Sequence, residues 1–331
     1  MNEDHPKIQY GKTGVLLVNL GTPDSTGWWD IRKYLKEFLS DRRVIEVNPF
    51  VWQIILNLFI LTFRPSKTAK AYKEIWMQKE NMSPLRYYTL MQTKKLREKF
   101  DNNKIIVDYA MRYGNPSIKS IMTNLHKEGC ENIIVLPLYP QYAAPTTATV
   151  CDEVYRSLLK MRWQPSLQIV PHYESEPLYI DALVNSINKK ISELRWKPDL
   201  IIASYHGIPK KYFEKGDPYH CYCQKTSRLI SEKYKEIPIK TTFQSRFGPQ
   251  EWLQPYTDKT LENLPKEGKK NILVICPGFS SDCVETLEEI AIQGKESFMK
   301  SGGKNFDVIP CLNDNDDHIN LIKKLISNFI L

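Results

Sequence analysis

The sequence predicts an α/β protein of two similar lobes, each a parallel sheet covered by helices on both faces, that meet across a cleft. Two observations predict this fold. Apolar runs of strand length alternate with turn signals and amphipathic helical segments, and the runs recur in the same order in both halves. At 331 residues the chain is long enough for two domains of ordinary size.

Five runs are predicted to be strands because each is short, almost continuously apolar and followed by a turn. They are VLLVNL (15–20), KIIVDYA (104–110), NIIVLPL (132–138), LIIASY (200–205) and NILVIC (271–276). Strands that are apolar on both faces are typical of parallel sheets buried between layers of helices. Because ligands bind at the carboxyl ends of such strands, we expect the functional residues in the turns that follow them.

Three pairs of turns match between the halves, which indicates a duplicated scaffold. The pairs are VNLGTP (18–23) with SYHGIP (204–209), AMRYGNP (110–116) with QSRFGPQ (244–250), and ENIIVLPLYP (131–140) with KNILVICPGF (270–279). The offsets are 186 residues for Gly21/Gly207, 134 for Arg112/Arg246 and 139 for Asn132/Asn271. The first half therefore carries about 50 extra residues between its first two strands. We expect an N-terminal domain over 12–160, with an insertion at about 40–85, and a C-terminal domain over 161–331.

One segment of that insertion, Phe50–Phe63 (FVWQIILNLFILTF), is apolar except at Gln53, Asn57 and Thr62. The cations that flank it are Arg42, Arg43, Arg64, Lys67 and Lys70. Two interpretations remain open: a buried core helix, or an apolar lip for a ligand with an apolar body and acidic edges, which also suits a membrane surface. Its place in an insertion favours the lip. The run is shorter than the roughly 20 residues that span a bilayer.

The composition is that of a soluble globular protein, with 42% hydrophobic residues, 25% charged residues and a net charge of +8. No nucleic-acid motif is visible and the lysines are dispersed, so the basic charge alone identifies no partner. The N-terminus lacks the apolar stretch of a secretory signal, and seven scattered cysteines are typical of a reducing compartment. The expected location is the cytoplasm.

Nucleotide-binding and common hydrolase signatures are missing from the sequence. It contains no G-x-G-x-x-G, no G-x-x-x-x-G-K-[ST], no G-x-S-x-G and no H-E-x-x-H. These absences argue against a dehydrogenase or an NTPase. They favour chemistry that needs no cofactor, or chemistry in which the cofactor is itself the substrate.

A histidine and several carboxylates follow strands of the second half. On an ideal α-helix capped by Ser281 or Asp282, the side chains of Asp282, Glu285 and Glu289 lie within about 60° of one another. This stripe is either a capped, solvated helix face or a group that binds a cation or moves protons. His206 ends a strand of the same half, and with Glu285 it predicts an acid–base pair or half of a divalent-metal site.

Other polar and aromatic residues near these turns allow more than one interpretation. Arg112 suits either a ligand carboxylate or a structural ion pair. The HCYC cluster at His220–Cys223 lacks the spacing of a zinc site, and no second cysteine pair lies nearby. The aromatic residues that either line the cleft or belong to the core are Tyr113, Tyr139, Tyr142, Phe247, Trp252 and Phe279.

On these residues the chain resembles the ferrochelatase family, whose members insert ferrous iron into protoporphyrin IX. IIASYHGIPKKYFEKGDPYHCYC is similar to the family's strand–[ST]-x-H-[GS]-x-P…G-D-P-Y signature, and GFSSDCVETLEEI is similar to its S-D-x-x-E-T-x-x-E signature. VNLGTPDS, YPQYAAPTTAT and QSRFGPQEWLQP are also similar, so the resemblance covers about residues 13–325. It implies two Rossmann-like domains of the chelatase type with a porphyrin cleft between them.

The resemblance also implies roles for individual residues. His206 and Glu285 match the essential pair, taken as iron ligands or as the base for pyrrole protons. Asp282 and Glu289 match an acidic path for protons or metal beside the pocket. The residues that match porphyrin-binding positions are Arg112, Tyr113, Tyr142, Ser245, Trp252 and Phe279. Phe50–Phe63 matches the lip, through which animal members also contact the membrane.

Fe²⁺ and protoporphyrin IX are therefore the expected substrates, with no tightly bound cofactor and no nucleic acid partner. Cys283 stands where some members have a histidine, which leaves no second histidine for such a role. Some members hold a [2Fe–2S] cluster on a cysteine-rich C-terminal extension. This chain ends at NFIL with Cys311 alone, so no cluster is expected.

Two other functions remain open at this point. One is a cobalt chelatase of a precorrin-type macrocycle, and the other is a non-catalytic haem or porphyrin carrier. A lip as apolar as Phe50–Phe63 favours protoporphyrin over a polycarboxylate ring, and a carrier needs no acidic stripe behind its histidine. Peripheral contact with a membrane through the lip is part of the expectation.

Overall fold

The computed structural model describes residues 11–330, within which eight strands form two four-stranded sheets. The first ten residues, where no secretory signal is predicted, and Leu331, the predicted end of the second domain, lie outside that range. The strands are β1 (Lys12–Thr22), β2 (Ile105–Gly114), β3 (Cys130–Pro137), β4 (Ser166–Ile169), β5 (Leu200–His206), β6 (Ile239–Gln244), β7 (Asn271–Ile275) and β8 (Asn305–Val308).

The two sheets have the same topology. Their strand orders are β2-β1-β3-β4 and β6-β5-β7-β8, and every pairing is parallel. The central strand of each sheet is buried along its length because its apolar residues face helices on both sides. The predicted α/β class and the predicted duplication are both confirmed.

Twelve α-helices and three π-helical segments connect these strands within the described range. The α-helices are α1 (Trp28–Leu39), α2 (Pro49–Ile55), α3 (Leu61–Ile75), α4 (Pro84–Arg97), α5 (Ile118–Lys127), α6 (Thr149–Leu158), α7 (Pro177–Glu193), α8 (Lys210–Glu214), α9 (Tyr219–Lys233), α10 (Thr257–Asn263), α11 (Lys295–Lys300) and α12 (Asp316–Ser327). The π-helical segments are Leu56–Ile60, Ala144–Ala148 and Glu285–Gly294.

Several helices begin where the sequence supplies a cap. The side chains of Asn48, Ser83, Ser117 and Asn315 accept hydrogen bonds from backbone N–H groups in the first turns of α2, α4, α5 and α12. Proline occupies the first position of α2, α4 and α7, where its missing N–H costs nothing. Local chemistry therefore fixes where these helices start.

The two sheets share one hydrophobic core. The largest buried cluster contains Leu17 and Leu136 from the first sheet together with Ile201 and Leu273 from the second. Helix α4 covers β1 and β2, α9 packs on β6, and α7 and α12 lie between them. The two domains are thus held together by a continuous apolar layer.

The predicted boundary between residues 160 and 161 falls too early. Strand β4 pairs with β3 through residues as late as Ile169, so the first sheet is incomplete at residue 160. Strand β4 is not recognisable in the sequence because it has only four residues, all of them partly or fully exposed. We therefore place the boundary between β4 and β5.

The predicted insertion lies between β1 and β2. In the first half 82 residues separate Thr22 from Ile105, whereas in the second half 32 separate His206 from Ile239, a difference of 50. This agrees with the excess estimated from the repeat. The extra residues form α1, α2, the first π-helical segment and α3.

Residues 49–63 of this insertion, hereafter the lip, are mainly exposed. Phe50 is 84% exposed and Phe63 72%, while Leu56 and Leu61 are fully buried against α1 and α3. The structure therefore favours the lip over the buried core helix, with two leucines anchoring an otherwise open apolar surface. Among the described residues, no helix has both the length and the apolar character needed to cross a membrane.

Candidate active site

His206 and Glu285 lie at the carboxyl ends of neighbouring strands in the second sheet. His206 is the last residue of β5 and pairs with Gln244 at the end of β6. Glu285 begins the π-helix that follows β7, and its carbonyl oxygen accepts a hydrogen bond from Gln244 Nε2 at 2.8 Å. Gln244 therefore connects the histidine strand with the start of the acidic helix.

The hydrogen bond of His206 fixes the tautomer of its ring. Nδ1 lies 2.6 Å from the carbonyl oxygen of Gly207. Because a carbonyl oxygen only accepts hydrogen bonds, Nδ1 carries the proton. In the neutral ring the lone pair is then on Nε2, the nitrogen that is left to bind a cation or to accept a proton.

Glu289 lies beside both His206 and Glu285. Burial raises the pKa of the Glu289 carboxyl and the charge of Glu285 adds to the increase, while hydrogen bonds from Ser245 and the nearby His206 oppose it. Ser245 donates from its backbone N–H at 2.8 Å and also from its hydroxyl to the Glu289 carboxylate. The Glu289 carboxyl therefore interacts electrostatically with both His206 and Glu285.

Ser245 is held in the left-handed region of backbone space, with φ of 65°. In this conformation its backbone N–H and its hydroxyl both donate to Glu289. The sequence predicted that Ser245 binds a porphyrin, but its donors are occupied by the carboxylate. Its predicted contact with a porphyrin stays a prediction.

The π-helix changes the predicted acidic stripe. Asp282 precedes the helix instead of capping an α-helix, so the predicted stripe of Asp282, Glu285 and Glu289 is wrong. In the wider π-helix four residues are close to a full turn, which keeps Glu285 and Glu289 on one face. Glu288 points to the side and accepts from Gln293 at 2.6 Å.

The Asp282 carboxylate is buried and fully engaged behind the helix. It accepts from Thr286 Oγ1 at 3.0 Å, from Cys311 N at 3.2 Å and from Asn313 Nδ2 at 2.7 Å. These bonds join the loop before the π-helix to the loop after β8. Asp282 therefore has a structural function that the spacing of the sequence did not reveal, and its role in a proton path stays a prediction.

Two tyrosines of the insertion lie opposite Glu285. Tyr34 of α1 and Tyr72 of α3 are buried, and burial raises the pKa of both hydroxyls, with the charge of Glu285 contributing. Burial also raises the pKa of the Cys283 thiol, again with a contribution from Glu285. Glu285 is therefore close enough to these two hydroxyls and this thiol to favour their neutral forms.

Arg112 and Tyr113 are tied to Asp41 at the base of the lip. Arg112 Nη2 donates to Asp41 in an ion pair with both side chains buried, and Arg112 Nε donates to Thr149 O at 2.8 Å. The Tyr113 hydroxyl donates to the same carboxylate at 3.0 Å, and its ring has no exposed surface. Of the two interpretations of Arg112, the structure shows the ion pair.

The other predicted ring contacts lie nearer the surface. Trp252 is partly exposed, its ring centroid lies 6.4 Å from that of His206, and its Nε1 donates to Phe247 O at 2.8 Å. Tyr142 and Phe279 are also partly exposed. These three rings are open to a ligand, in contrast to Tyr113.

The HCYC cluster does not converge on a metal. It opens α9, where Cys223 is fully buried and Cys221 is exposed, while the His220 ring stacks on Phe243 with a centroid distance of 5.7 Å. Across residues 11–330, no group of three or more His, Cys, Asp or Glu side chains is arranged to hold a metal ion.

A cavity of about 1080 Å³ opens at the base of the lip. It is lined by Arg112 and by cations that lie beside carboxylates, among them Arg43, Arg156 and Lys215. Neither His206 nor Glu285 lines this cavity. The cavity therefore lies beside the segment that precedes the lip, and it does not include His206.

Several residues around the site could not be recognised as such from the sequence. Their contacts join elements that are distant in sequence. These residues are Gln244, Tyr34, Tyr72 and Asp41. Arg64 is partly buried, lies over the Phe247 ring at 4.6 Å, and takes part in none of the ion pairs found among the described residues. From the sequence, Arg64 was recognised only as one of five cations that flank the apolar run, without a role of its own.

Comparisons with known proteins agree with this geometry. A family model described as Ferrochelatase matches residues 12–329. The chain belongs to the ferrochelatase family. It is 57% identical over 328 residues to the ferrochelatase of Rhizobium meliloti, covering 98% of this chain and 97% of that one. It is 56% identical over 326 residues to the ferrochelatase of Allorhizobium ampelinum, covering 98% and 95%.

Solved chelatase structures share the fold. SirB from Bacillus subtilis with Fe³⁺ superposes with a TM-score of 0.58 at 10% identity, covering 96% of this chain and 95% of that chain. CbiX, the terminal enzyme for siroheme biosynthesis in denitrifying bacteria, gives a TM-score of 0.52 at 11% identity, covering 96% and 100%. At such identities the likeness concerns the fold alone.

Family membership identifies the protein as a metal-insertion enzyme of haem biosynthesis. The family acts on porphyrin and uses ferrous iron as a substrate. The resemblance inferred from the motifs around His206 and Glu285 is thereby confirmed.

Proposed function

We propose that the protein inserts Fe²⁺ into protoporphyrin IX to give protohaem, with release of two protons. The observation that carries the proposal is the grouping of His206, Glu285 and Glu289 around the ends of β5 and β6. His206 pairs with Gln244, Gln244 donates to the Glu285 carbonyl, and the next residue, Ser245, donates to the Glu289 carboxylate. We further propose His206 and Glu285 as the catalytic pair and as the groups that contact the metal.

Metal insertion requires that two pyrrole N–H protons leave the ring and that Fe²⁺ loses its water. His206 is suited to either step because its Nε2 holds the lone pair. A carboxyl whose pKa is raised by burial accepts a proton more readily than an exposed one, which suits Glu289 as the next acceptor. In this proposal the protons leave along the face that Glu285 and Glu289 share.

The ring itself needs apolar walls and cationic partners for its two propionates. Trp252 offers aromatic surface near the histidine, Phe279 and Tyr142 are further partly exposed rings, and the lip offers an apolar rim. Arg64 is a partly buried cation at that rim, and burial lowers its pKa, which reflects the lack of a nearby carboxylate. A propionate would supply the missing negative charge.

We also propose that the protein works in the cytoplasm with its lip in peripheral contact with a membrane. Exposed phenylalanines and aliphatic residues beside several cations are typical of surfaces that rest on anionic lipid. The expectation that no iron–sulfur cluster takes part stays a prediction.

One assay tests the proposal. Purified protein is mixed anaerobically with Fe²⁺ and protoporphyrin IX, and the haem spectrum is followed beyond one equivalent of product. His206→Ala and Glu285→Gln are expected to lower kcat by about 10²- to 10⁴-fold, because each removes a group that handles the proton or the metal. Porphyrin binding, measured by fluorescence, should stay close to that of the wild type.

Matched controls are His220→Ala, from the same stretch of sequence, and Glu288→Gln, from the same helix. Both should keep near wild-type turnover because His220 packs on Phe243 and Glu288 points aside. Product that stops at one equivalent would indicate a carrier. A preference for cobalt and a precorrin-type ring would replace protoporphyrin as the substrate, and active His206 and Glu285 variants would refute the assignment of the pair.

A further inference from the structure

The connection between α1 and α2, residues 40–48, is irregular in structure and is held from two sides. We call it the lip base because α2 and the rest of the lip follow it directly. From the N-terminal domain, Arg112 pairs with Asp41 and Arg43 pairs with Asp152 at 2.9 Å. These contacts fix the first part of the segment and leave its last part to be held by other groups.

In the C-terminal domain, α8 and the residue that follows it hold the last part of the lip base. The Tyr212 hydroxyl donates to Val44 O at 3.0 Å and accepts from Glu46 N at 3.2 Å. Lys215 forms an ion pair with the Glu46 carboxylate. Tyr212 is only 6% exposed and its ring belongs to the largest core cluster, so its hydroxyl has little freedom to move. Both hydrogen-bonding capacities of the hydroxyl are therefore used on the backbone of the lip base.

Helix α8 follows His206 closely in sequence. After β5 ends at His206, the chain runs through Ile208 into α8, which contains Tyr212. The Ile208 carbonyl oxygen accepts a hydrogen bond from Leu253 N at 3.0 Å. The chain between the histidine and the tyrosine is thus short and well supported. A contact made by Tyr212 with the lip base fixes the lip relative to His206.

The far end of the lip has its own contact with the C-terminal domain. There the Arg64 guanidinium lies 4.6 Å from the centroid of the Phe247 ring. This contact is partly exposed. The Tyr212 contact is buried, so it is suited to stay closed throughout the reaction.

We propose that Tyr212 is a positioning residue that holds the base of the lip and thereby sets the lip over the metal-insertion site. The inference rests on the proposed function to the extent that the lip covers the porphyrin. Without the hydroxyl, the Val44 carbonyl and the Glu46 N–H lose their partner and turn toward water. The lip is then correctly placed for only a fraction of the time. The apparent affinity for porphyrin falls in proportion to that fraction.

The test compares Tyr212→Phe with Tyr173→Phe. Tyr173 is a suitable control because its hydroxyl is buried and has no hydrogen-bond partner among the described residues. For Tyr212→Phe we expect KM for protoporphyrin to rise about threefold to tenfold with kcat within about twofold of the wild type. Amide hydrogen exchange of residues 41–60 should accelerate by a similar factor, without substrate present.

Unchanged exchange over residues 41–60 in Tyr212→Phe would overturn the inference, and so would an unchanged KM in an active enzyme. If Tyr212→Phe lowers Tm substantially, Lys215→Met provides the second variant, because it keeps the core tyrosine and removes only the ion pair to Glu46. The exchange measurement does not depend on turnover. A wild type that inserts no iron would therefore refute the proposed function while the contact of Tyr212 is still tested.

Discussion

The two sheets have the same strand order and pairing, but the loops at their carboxyl ends differ in what they carry. Each half has a π-helical segment after its third strand in chain order, Ala144–Ala148 after β3 and Glu285–Gly294 after β7. The first has the sequence APTTA and contains no ionisable side chain, whereas the second contains Glu285, Glu288 and Glu289. The same backbone feature therefore carries carboxylates in one half alone.

The connections after β1 and β5 also differ, and here the first half has the longer and more elaborate segment. The short one, after β5, begins with the histidine turn and leads into α8. The long one, after β1, forms the lip and contributes Tyr34 and Tyr72 to the wall opposite Glu285. We infer that duplication supplied two equivalent sets of strand ends, and that one half then acquired His206 and the carboxylates while the other acquired the insertion.

The largest effect on stability should come from Arg112 and Arg246, the paired arginines of the repeat. Arg112 forms an ion pair with Asp41 in which both side chains are at most 7% exposed, whereas Arg246 and its partner Asp258 are 42% and 49% exposed. Arg112→Met should lower the free energy of unfolding by about 3–5 kcal/mol, because it leaves a buried carboxylate without its partner. Arg246→Met should lower it by about 1 kcal/mol or less.

Denaturant unfolding of both variants measures this difference. Adding Asp41→Asn to Arg112→Met should recover part of the loss, since the double variant no longer buries an unpaired charge. Equal effects at Arg112 and Arg246 would mean that the two halves are electrostatically alike at these turns, against the comparison.

Much of this architecture could be predicted from the sequence because apolar strands and turn residues are local signals. The duplication, the 50-residue excess and the exposed lip followed from spacing, and His206 and Glu285 followed from their turns and from the family motifs. Strand β4 was missed because it is short and not apolar. The π-helix, the burial of Tyr113 and the engagement of Asp282 depend on contacts between distant segments, which no local pattern records.

A smaller effect, on the pH dependence of stability, should distinguish α7 and α12, the helices that follow the last strand of each sheet. Tyr179 in α7 and His318 in α12 lie 139 residues apart, the offset of Asn132 and Asn271, and both are buried. Burial lowers the pKa of His318 to about 4, while an unfolded histidine titrates near 6.5. Between these values the unfolded state binds a proton that the folded state does not, so stability falls as pH decreases from about 6.5 toward 4.

At pH 5 this difference amounts to about 2 kcal/mol relative to pH 7.5. His318→Gln should remove that part of the pH dependence, which unfolding measurements at several pH values would detect. Tyr179→Phe is the matched control from the other half, because it removes a buried hydroxyl that donates to Pro277 O and leaves the pH dependence unchanged. The same acid sensitivity in wild type and His318→Gln would assign it to other groups.

The smallest effect on stability, and the sharpest test of the division between chemistry and cover, concerns the lip. Phe50 and Phe63 are 84% and 72% exposed, so the double variant Phe50→Ser/Phe63→Ser should change the free energy of unfolding by about 0.5 kcal/mol or less. Its binding to vesicles that contain phosphatidylglycerol should weaken at least about tenfold, because each phenylalanine contributes about 1.5–3 kcal/mol when it leaves water.

Met299→Ser in α11 is the control, since Met299 is also exposed but belongs to the second half, away from the insertion. Vesicle sedimentation of the two variants and the wild type separates the possible outcomes. If the lip variant binds vesicles as the wild type does, the exposed apolar surface has no part in membrane contact. Loss of binding in the lip variant alone would show that the insertion, which the second half lacks, carries the membrane contact as well as the wall opposite Glu285.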